Sequence, residues 1–265
     1  MIDSHCHLDC DAFDQDRPPA LARAARRGVQ HIIVPAVGEA TWEPILALAS
    51  AISPTRCHAA LGIHPIVIPG LDPADDAGLM ERLRARVSQS RPVAIGECGL
   101  DTTIDLTRAP FERQQAVLRA QVAIARDVDL PVILHARGPG CYAALLDLLE
   151  SEPLPKAGGV IHSYGGGVDL VRRFAALPLM FGFAGPATYP NARKIRASIA
   201  AVPEDRLLAE TDAPDQTPVP YRPGRSEPAY VPEIIAAIAS ARGASASQIE
   251  ALTTANARRL FGLDP

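Results

Sequence analysis

The sequence predicts a single (β/α)8 barrel, an α/β fold, and two observations support that prediction. Short apolar runs alternate eight times with longer stretches of helical spacing, as in parallel strands joined by helices. The 265 residues also match the usual size of such a barrel, about 250 residues. We therefore expect one domain over residues 1–265. A doubly wound open sheet is the alternative, but Ser4-His5-Cys6-His7-Leu8 is unlike the glycine-rich loop that usually follows its first strand.

The elements follow in order along the chain. The expected strands are 1–6, 30–37, 58–63, 92–97, 131–135, 158–162, 178–183 and 206–210. The expected helices are near 18–28, 41–52, 73–89, 110–127, 140–150, 167–176, 190–201, 230–242 and 245–260. Segment 110–127 is typical, because Phe111, Leu118 and Val122 fall on one helical face. The proline-rich segment 213–229 is predicted to be a semi-rigid wall of the site.

Composition indicates an ordinary globular protein. Hydrophobic residues make up 48% of the chain and charged residues 21%, and no apolar run approaches the roughly 20 residues that a membrane span needs. The five cysteines are odd in number and scattered, which favours a reducing compartment. With no export signal visible, we expect the cytoplasm. The net charge of −4 excludes a global basic field, so any contact with a polyanion such as DNA must be local.

Six side chains of metal-binding type recur at or just beyond the carboxyl ends of predicted strands. Barrel enzymes build their active sites at that face, so we expect one shared site. Imidazoles and carboxylates suit divalent ions such as Zn²⁺, Mn²⁺ or Mg²⁺. Six ligands exceed what one tetrahedral ion needs and fit two ions that share a carboxylate. The predicted ligands are His5, His7, Glu97, His135, His162 and Asp212.

Other polar residues receive different predictions. Cys6 and Cys98 should point away from the ligands beside them, because side chains alternate along a strand. His31 and His58 begin their strands, at the wrong end for the site, and are expected to be structural. The glycines at 165–167 could offer backbone N–H groups to a phosphate or form a tight turn. Four residues in the loops at the carboxyl ends are expected to contact substrate: His64, Arg137, Tyr164 and Arg225.

Several spaced motifs together resemble the TatD-related metal-dependent deoxyribonucleases, which are amidohydrolase-type barrels. The resemblance runs from the first strand to the last helix. It implies that one ion is held by His5, His7, Glu97 and Asp212, and the other by Glu97, His135 and His162. Glu97 would bridge the ions, and Asp212 would orient or deprotonate the attacking water. The motifs are Asp3-Ser4-His5-Cys6-His7-Leu8, Gly62-Ile63-His64-Pro65, Gly96-Glu97-Cys98-Gly99-Leu100-Asp101, Pro131-Val132-Ile133-Leu134-His135, Glu210-Thr211-Asp212-Ala213-Pro214 and Asn256-Ala257-Arg258-Arg259-Leu260-Phe261.

The chain departs from this family at four places in pocket loops, and none of the changes removes a ligand. The changed residues are Ile66, Thr102, the segment Ser163-Tyr164-Gly165, and Ser226. The leading hypothesis is therefore metal-dependent hydrolysis of phosphodiesters at DNA ends, with catalytic roles for Glu97 and Asp212. An amide, ester or lactone hydrolase, or one acting on aminoacyl-tRNA, is the second hypothesis. A non-catalytic metal-binding accessory protein is the third. No obligate protein partner or membrane association is indicated.

Overall fold

The computed structural model describes residues 1–264 and confirms the barrel. Eight parallel strands form one sheet in sequential order. This order is the expected one, because each helix returns the chain to the next position along the sheet. The strands are β1 (Ile2–Asp3), β2 (His31–Pro35), β3 (Arg56–Leu61), β4 (Ala94–Asp101), β5 (Val132–Arg137), β6 (Gly159–Ile161), β7 (Leu179–Phe183) and β8 (Leu207–Ala209).

Nine α-helices within residues 1–264 occupy the predicted segments. Their inner faces carry the apolar residues, as on α4, where Leu118 and Val122 are buried. Within this part of the chain, no helix combines the length and the apolar character that crossing a bilayer requires. The helices are α1 (Arg17–Arg26), α2 (Glu39–Ser50), α3 (Asp76–Ser90), α4 (Phe111–Val128), α5 (Cys141–Ser151), α6 (Val168–Ala175), α7 (Arg193–Ala201), α8 (Val231–Arg242) and α9 (Ala246–Phe261).

The barrel is closed by backbone hydrogen bonds between β1 and β8 and the segments that follow them. Ser4 N donates to Ala209 O at 3.2 Å, and His7 N donates to Ala213 O at 2.8 Å. β1 is shorter than predicted because, after Asp3, the chain makes only an isolated bridge, between Cys6 and Ala213. The seam therefore holds the His5–His7 segment directly against the start of the proline-rich loop.

The core has two parts. The larger part lies between the strands and the helices. The smaller part takes one residue from each strand and is joined by Ala257, Leu260 and Phe261 of α9. We infer that α9 covers the amino-terminal end of the barrel and leaves the carboxyl end for the site. The strand residues of this layer are Ile2, Ile33, Ala60, Ala94, Ile133, Val160, Met180 and Leu208.

Two strands end later than predicted. β4 continues beyond Glu97 to Asp101, and β5 continues beyond His135 to Arg137. The cause is a register shift in the β4–β5 pairing between Ile95 and Cys98, after which the two strands pair again. Glu97 therefore lies at an irregularity inside β4, and the extra length carries Asp101 and Arg137 to the rim of the barrel.

Candidate metal centre

His5 and His7 lie on the segment that the barrel seam holds in place. Their Nε2 atoms are 3.2 Å apart, although the residue between them, Cys6, is fully buried in the outer core. The side chains therefore alternate in direction along this segment, as predicted. Both imidazoles face the centre, and the Cys6 thiol faces the opposite side. Cys98 is also fully buried and lies near Ile133 O.

Glu97 reaches the centre because glycines flank the irregularity in β4. Gly96 has φ +145° and Gly99 has φ +156°, conformations that residues with a Cβ rarely adopt. A Cβ at Gly96 would lie 2.7 Å from Ile133 O, and one at Gly99 would lie 2.0 Å from His135 O. Only glycine at these positions lets β4 run this close to β5 and present Glu97 inward.

The two carboxylate oxygens of Glu97 face two different groups of imidazoles. Oε2 lies 3.2 Å from Nε2 of His5 and 3.3 Å from Nε2 of His7. Oε1 lies 2.8 Å from Nδ1 of His135 and 2.8 Å from Nε2 of His162. His64 stands on the same side as the second group, with its Nε2 3.3 Å from Oε1. One carboxylate is thus shared by two sets of donors.

Asp212 completes the first group. Its Oδ1 lies 3.6 Å from Nε2 of His5 and 3.8 Å from Nε2 of His7. Its backbone is left-handed, with φ +51°, and its N–H donates to His5 O at 2.9 Å. Oδ2 accepts a hydrogen bond from the Gln216 side chain. The seam and Gln216 together fix the direction in which the carboxylate points.

Two further acids stand behind the histidines. Asp101 Oδ2 lies 3.3 Å from Nε2 of His135, and Asp101 is held by the N–H and hydroxyl of Thr103, both at 2.7 Å. Glu210 Oε1 lies 3.7 Å from Nδ1 of His162. Carboxylates in this position orient a ligating imidazole and raise its basicity.

The charges in the centre are strongly coupled. Burial would raise the pKa of Glu97, but the surrounding histidines outweigh burial and hold that pKa well below its usual range. Burial would likewise lower the pKa of His162, but Glu97 and Glu210 raise it well above its ordinary value. Burial lowers the pKa of His5. The centre is thus an ionised carboxylate among imidazoles that compete for protons, an arrangement in which a cation replaces protons readily.

The donor set fits divalent metal ions. Residues 1–264 contain three groups of donors, and within each group the candidate ligand atoms lie within 4.8 Å of one another. Zinc–ligand bonds of about 2.0–2.2 Å place tetrahedral donors about 3.4 Å apart, close to the separations between His5, His7 and Glu97. Oε2 of Glu97 is buried and has no hydrogen-bond partner, which is costly for a carboxylate unless a cation binds it. The groups are His5, His7 and Glu97; His5, His162 and Asp212; and His64, Glu97 and His135.

The centre opens into a cavity with two adjoining lobes. One lobe of about 570 Å³ is lined by Tyr142, Ser163 and Gln216 among others. The other, of about 460 Å³, is lined by His7, Glu97 and Ile66 among others. The lobes share lining residues at the centre and rim. The shared residues are His135, Arg137, His162, Asp212 and Asp215.

Two of the four predicted substrate contacts line the cavity, and their contact with substrate stays a prediction. Arg137 is exposed and lines both lobes. His64 is buried beside Glu97, deeper than a rim contact, and its Nδ1 accepts a hydrogen bond from Ile66 N at 2.9 Å. His64 therefore stands close enough to the centre to serve as a donor as well.

The other two predicted contacts need correction. Tyr164 is only 1% exposed, packs edge-on against Phe181 and Phe183, and donates its hydroxyl to Gly167 O at 2.9 Å. It belongs to the core because the chain turns inward after Ser163. The guanidinium of Arg225 is bound to Asp16 at 2.7 and 2.9 Å and lies over an aromatic ring of the first loop. It stabilises the proline-rich loop and is not available to an anion.

Sequence reasoning missed four residues around the centre. Asp101 and Glu210 are acids at strand ends, the same signal that identified the ligands, and both stand within quoted motifs. Tyr142 lines the lobe of about 570 Å³, and its hydroxyl accepts a hydrogen bond from Gly165 N at 2.7 Å. Gln216 contacts Asp212. No local signal marks Tyr142 or Gln216, because their roles depend on how separate loops meet.

The comparisons with known proteins agree with this geometry. The family model described as TatD related DNase matches residues 2–262. The uncharacterized metal-dependent hydrolase YabD of Bacillus subtilis is 32% identical over 264 residues, covering all of both chains. The 3'-5' ssDNA/RNA exonuclease TatD of Klebsiella pneumoniae is 33% identical over 271 residues, covering 100% of this chain and 98% of that protein. The crystal structure of YJJV, a TatD homologue from Escherichia coli, has a TM-score of 0.90 at 35% identity, covering 100% of this chain and 98% of that one.

Fold and site together define a metal-dependent hydrolase built on a (β/α)8 barrel. Within that class, the chain belongs to the TatD-related DNase family. The predicted resemblance is thereby confirmed over nearly the whole chain.

Proposed function

We propose that this protein is a metal-dependent phosphodiesterase that removes nucleotides from single-stranded DNA ends. The main support for the proposal is the position of Glu97, whose two carboxylate oxygens face separate groups of donors. Centres with two ions about 3.5–4 Å apart are common in nucleases and phosphatases. The name of the Klebsiella pneumoniae relative, a 3'-5' ssDNA/RNA exonuclease, supports the same class of substrate.

The residues have distinct roles in this proposal. His5, His7, Glu97 and Asp212 would hold one ion, and Glu97, His135 and His162 would hold the other. When bound, two divalent ions lower the pKa of water and neutralise charge on the phosphate. Asp212 accepts the proton of the attacking water, because Gln216 and the barrel seam fix its carboxylate beside the first group. These contacts orient the proton acceptor before substrate binds.

The test uses purified full-length protein and an end-labelled single-stranded oligonucleotide. Activity should disappear with chelator and return with Mn²⁺, Mg²⁺ or Zn²⁺. Asp212→Asn should lower kcat by about 10²–10⁴-fold, whereas Asp205→Asn, a matched change beside the amino-terminal end of β8, should leave it unchanged. Full activity of Asp212→Asn, or metal-independent cleavage, would overturn the proposal.

Hydrolysis of a carboxyl ester or amide is the second candidate function. It is favoured by the lobe that contains Ile66, whose aliphatic side chain is 55% exposed beside the centre and could accept an apolar acyl group. A panel of acyl substrates assayed with the same metal-loaded protein separates the two. Turnover of acyl substrates alone would replace the phosphodiesterase assignment.

A cytoplasmic location is also part of the proposal. All five cysteines are free thiols, as expected for a chain that works in a reducing compartment.

A further inference from the structure

The lining of the two lobes carries one arginine and no lysine among residues 1–264. That arginine is Arg137. The same lining carries six carboxylates. Three of them are engaged at the centre, namely Glu97, Asp101 and Asp212, and three stand around it, namely Asp9, Asp11 and Asp215.

Arg137 is available to bind an anion. It lies at the carboxyl end of β5 and is exposed. Within residues 1–264 its guanidinium has no hydrogen bond or ion pair, unlike that of Arg225, which is held by Asp16. A guanidinium presents a planar array of donors that suits a phosphate. One flanking phosphate can therefore be bound beside the scissile one.

The surrounding acids oppose any further phosphates. Asp11 and Asp215 are exposed, and Asp215 lines both lobes. Single-strand binding grooves usually follow the backbone with positive charge, and here the groove is bordered by carboxylates. A third phosphate in either lobe would meet negative charge without a compensating cation, which is unfavourable over the short distances inside a cleft.

One wall of the cavity is apolar. Ile66 is 55% exposed and lines the same lobe as Val37 and Pro214. The hydrogen bond from Ile66 N to His64 fixes this residue next to the centre. A wall of this kind fits the face of a single base, because bases taken out of a stack are held between apolar or aromatic side chains.

We propose that the centre acts on short nucleotide diesters. The scissile phosphate lies at Glu97, at most one flanking phosphate lies at Arg137, and one base packs on Ile66. Long single strands are then cleaved with a lower kcat/KM than short ones. This inference rests on the phosphodiesterase activity proposed above and names the substrate class of the same site.

The experiment compares a dinucleotide, a trinucleotide and a 20-nucleotide DNA with metal-loaded wild-type protein, and includes bis(p-nitrophenyl) phosphate as a generic diester. We expect kcat/KM per end to be about tenfold or more higher for the trinucleotide than for the 20-mer. For the 20-mer, the slope of log kcat/KM against log salt should be no steeper than about −0.7, the value for one phosphate contact on a single strand. Equal or higher kcat/KM for the 20-mer overturns the inference and leaves the phosphodiesterase proposal standing. Failure to cleave any diester, including the generic one, defeats the phosphodiesterase proposal itself.

Charge variants test the cause. Asp11→Lys and Asp215→Lys should each raise the ratio of 20-mer to trinucleotide kcat/KM about fivefold, because each replaces a repelling charge with an attracting one. Glu81→Lys on the exposed side of α3 makes the same change in net charge away from the cavity and should leave the ratio unchanged. Arg137→Gln should make the salt dependence shallower, because it removes the contact with the flanking phosphate and leaves only the scissile phosphate bound. If both aspartate variants are folded and the ratio of 20-mer to trinucleotide kcat/KM is unchanged in both, the proposed repulsion by Asp11 and Asp215 is wrong.

Discussion

Glu210 lies directly behind His162, with its Oε1 3.7 Å from the imidazole Nδ1. Glu210 is fully buried and accepts hydrogen bonds from the Ser4 hydroxyl at 3.0 Å and from Ser163 N. A Cβ at Gly182 would lie 2.2 Å from its Oε2, so a glycine is required beside it. The carboxylate thus links β8 to the loop after β6 and fixes the orientation of the imidazole.

Glu210→Gln should therefore lower metal affinity about 10–100-fold, the range found for carboxylates that support a metal-bound histidine. Isothermal titration with Mn²⁺ or Zn²⁺ measures the change, and saturating metal should restore most of kcat. Glu204→Gln, in an exposed turn before β8, is the matched control. Wild-type affinity in Glu210→Gln would show that Glu210 serves the fold alone.

Glu97→Gln should reduce the number of bound ions from two to fewer than one per chain, because a single carboxylate faces both donor groups. Metal analysis after dialysis measures the stoichiometry, and circular dichroism verifies that the barrel persists. Glu81→Gln controls for the loss of a carboxylate elsewhere. Retention of two ions by Glu97→Gln would contradict a shared ligand.

His58 should make stability depend on pH at the other end of the barrel. Its Nε2 lies 2.9 Å from Nδ1 of His31, and burial together with the charges of His31 and Arg56 lowers the pKa of His58 to about 4. Between pH 6.5 and 4 the unfolded chain binds more protons at this position, so stability falls as the pH is lowered through that window. The contribution is about 1–2 kcal/mol after allowance for solvent screening.

His58→Gln should flatten this part of the stability curve, measured as the free energy of unfolding in urea from pH 7 to pH 4. The control must lie away from both His58 and the metal centre. Gln89→Ala, exposed on α3, is neutral and should preserve the wild-type slope. An identical slope in His58→Gln would assign the loss of stability to other groups.

Tyr164→Ala should destabilise the fold by about 3–5 kcal/mol, as for other large aromatic residues removed from a core. Tyr164 packs against Phe174, Phe181 and Phe183, so its removal leaves a cavity among these rings. Denaturant unfolding measures the change. Tyr164→Phe, which removes only the hydroxyl, should lose about 1 kcal/mol and keep the wild-type KM. A raised KM in Tyr164→Phe at unchanged stability would restore its predicted contact with substrate.

The architecture could be predicted because it depends on patterns that neighbouring residues carry. Short apolar runs predict buried parallel strands. Eight of them with helices between them favour a closed barrel, and the absence of a glycine-rich loop after the first strand disfavours an open sheet. The ends of the strands were harder to predict. The end of β4 was misplaced because the register shift at Gly96 depends on how closely β5 approaches, which the sequence of β4 alone does not reveal.

Local sequence patterns were enough to predict the barrel, the family resemblance and the six histidines and acids expected at its carboxyl face, because residues at equivalent strand ends must meet there. The folded arrangement was needed to see which oxygen of Glu97 faces which imidazoles and that Asp101 and Glu210 lie behind two of them. It was also needed to see that Tyr164 and Arg225 lie away from the cavity. Those outcomes depend on distances between loops far apart in the chain. Such distances are set by packing and charge pairing across the whole fold, not by any local pattern.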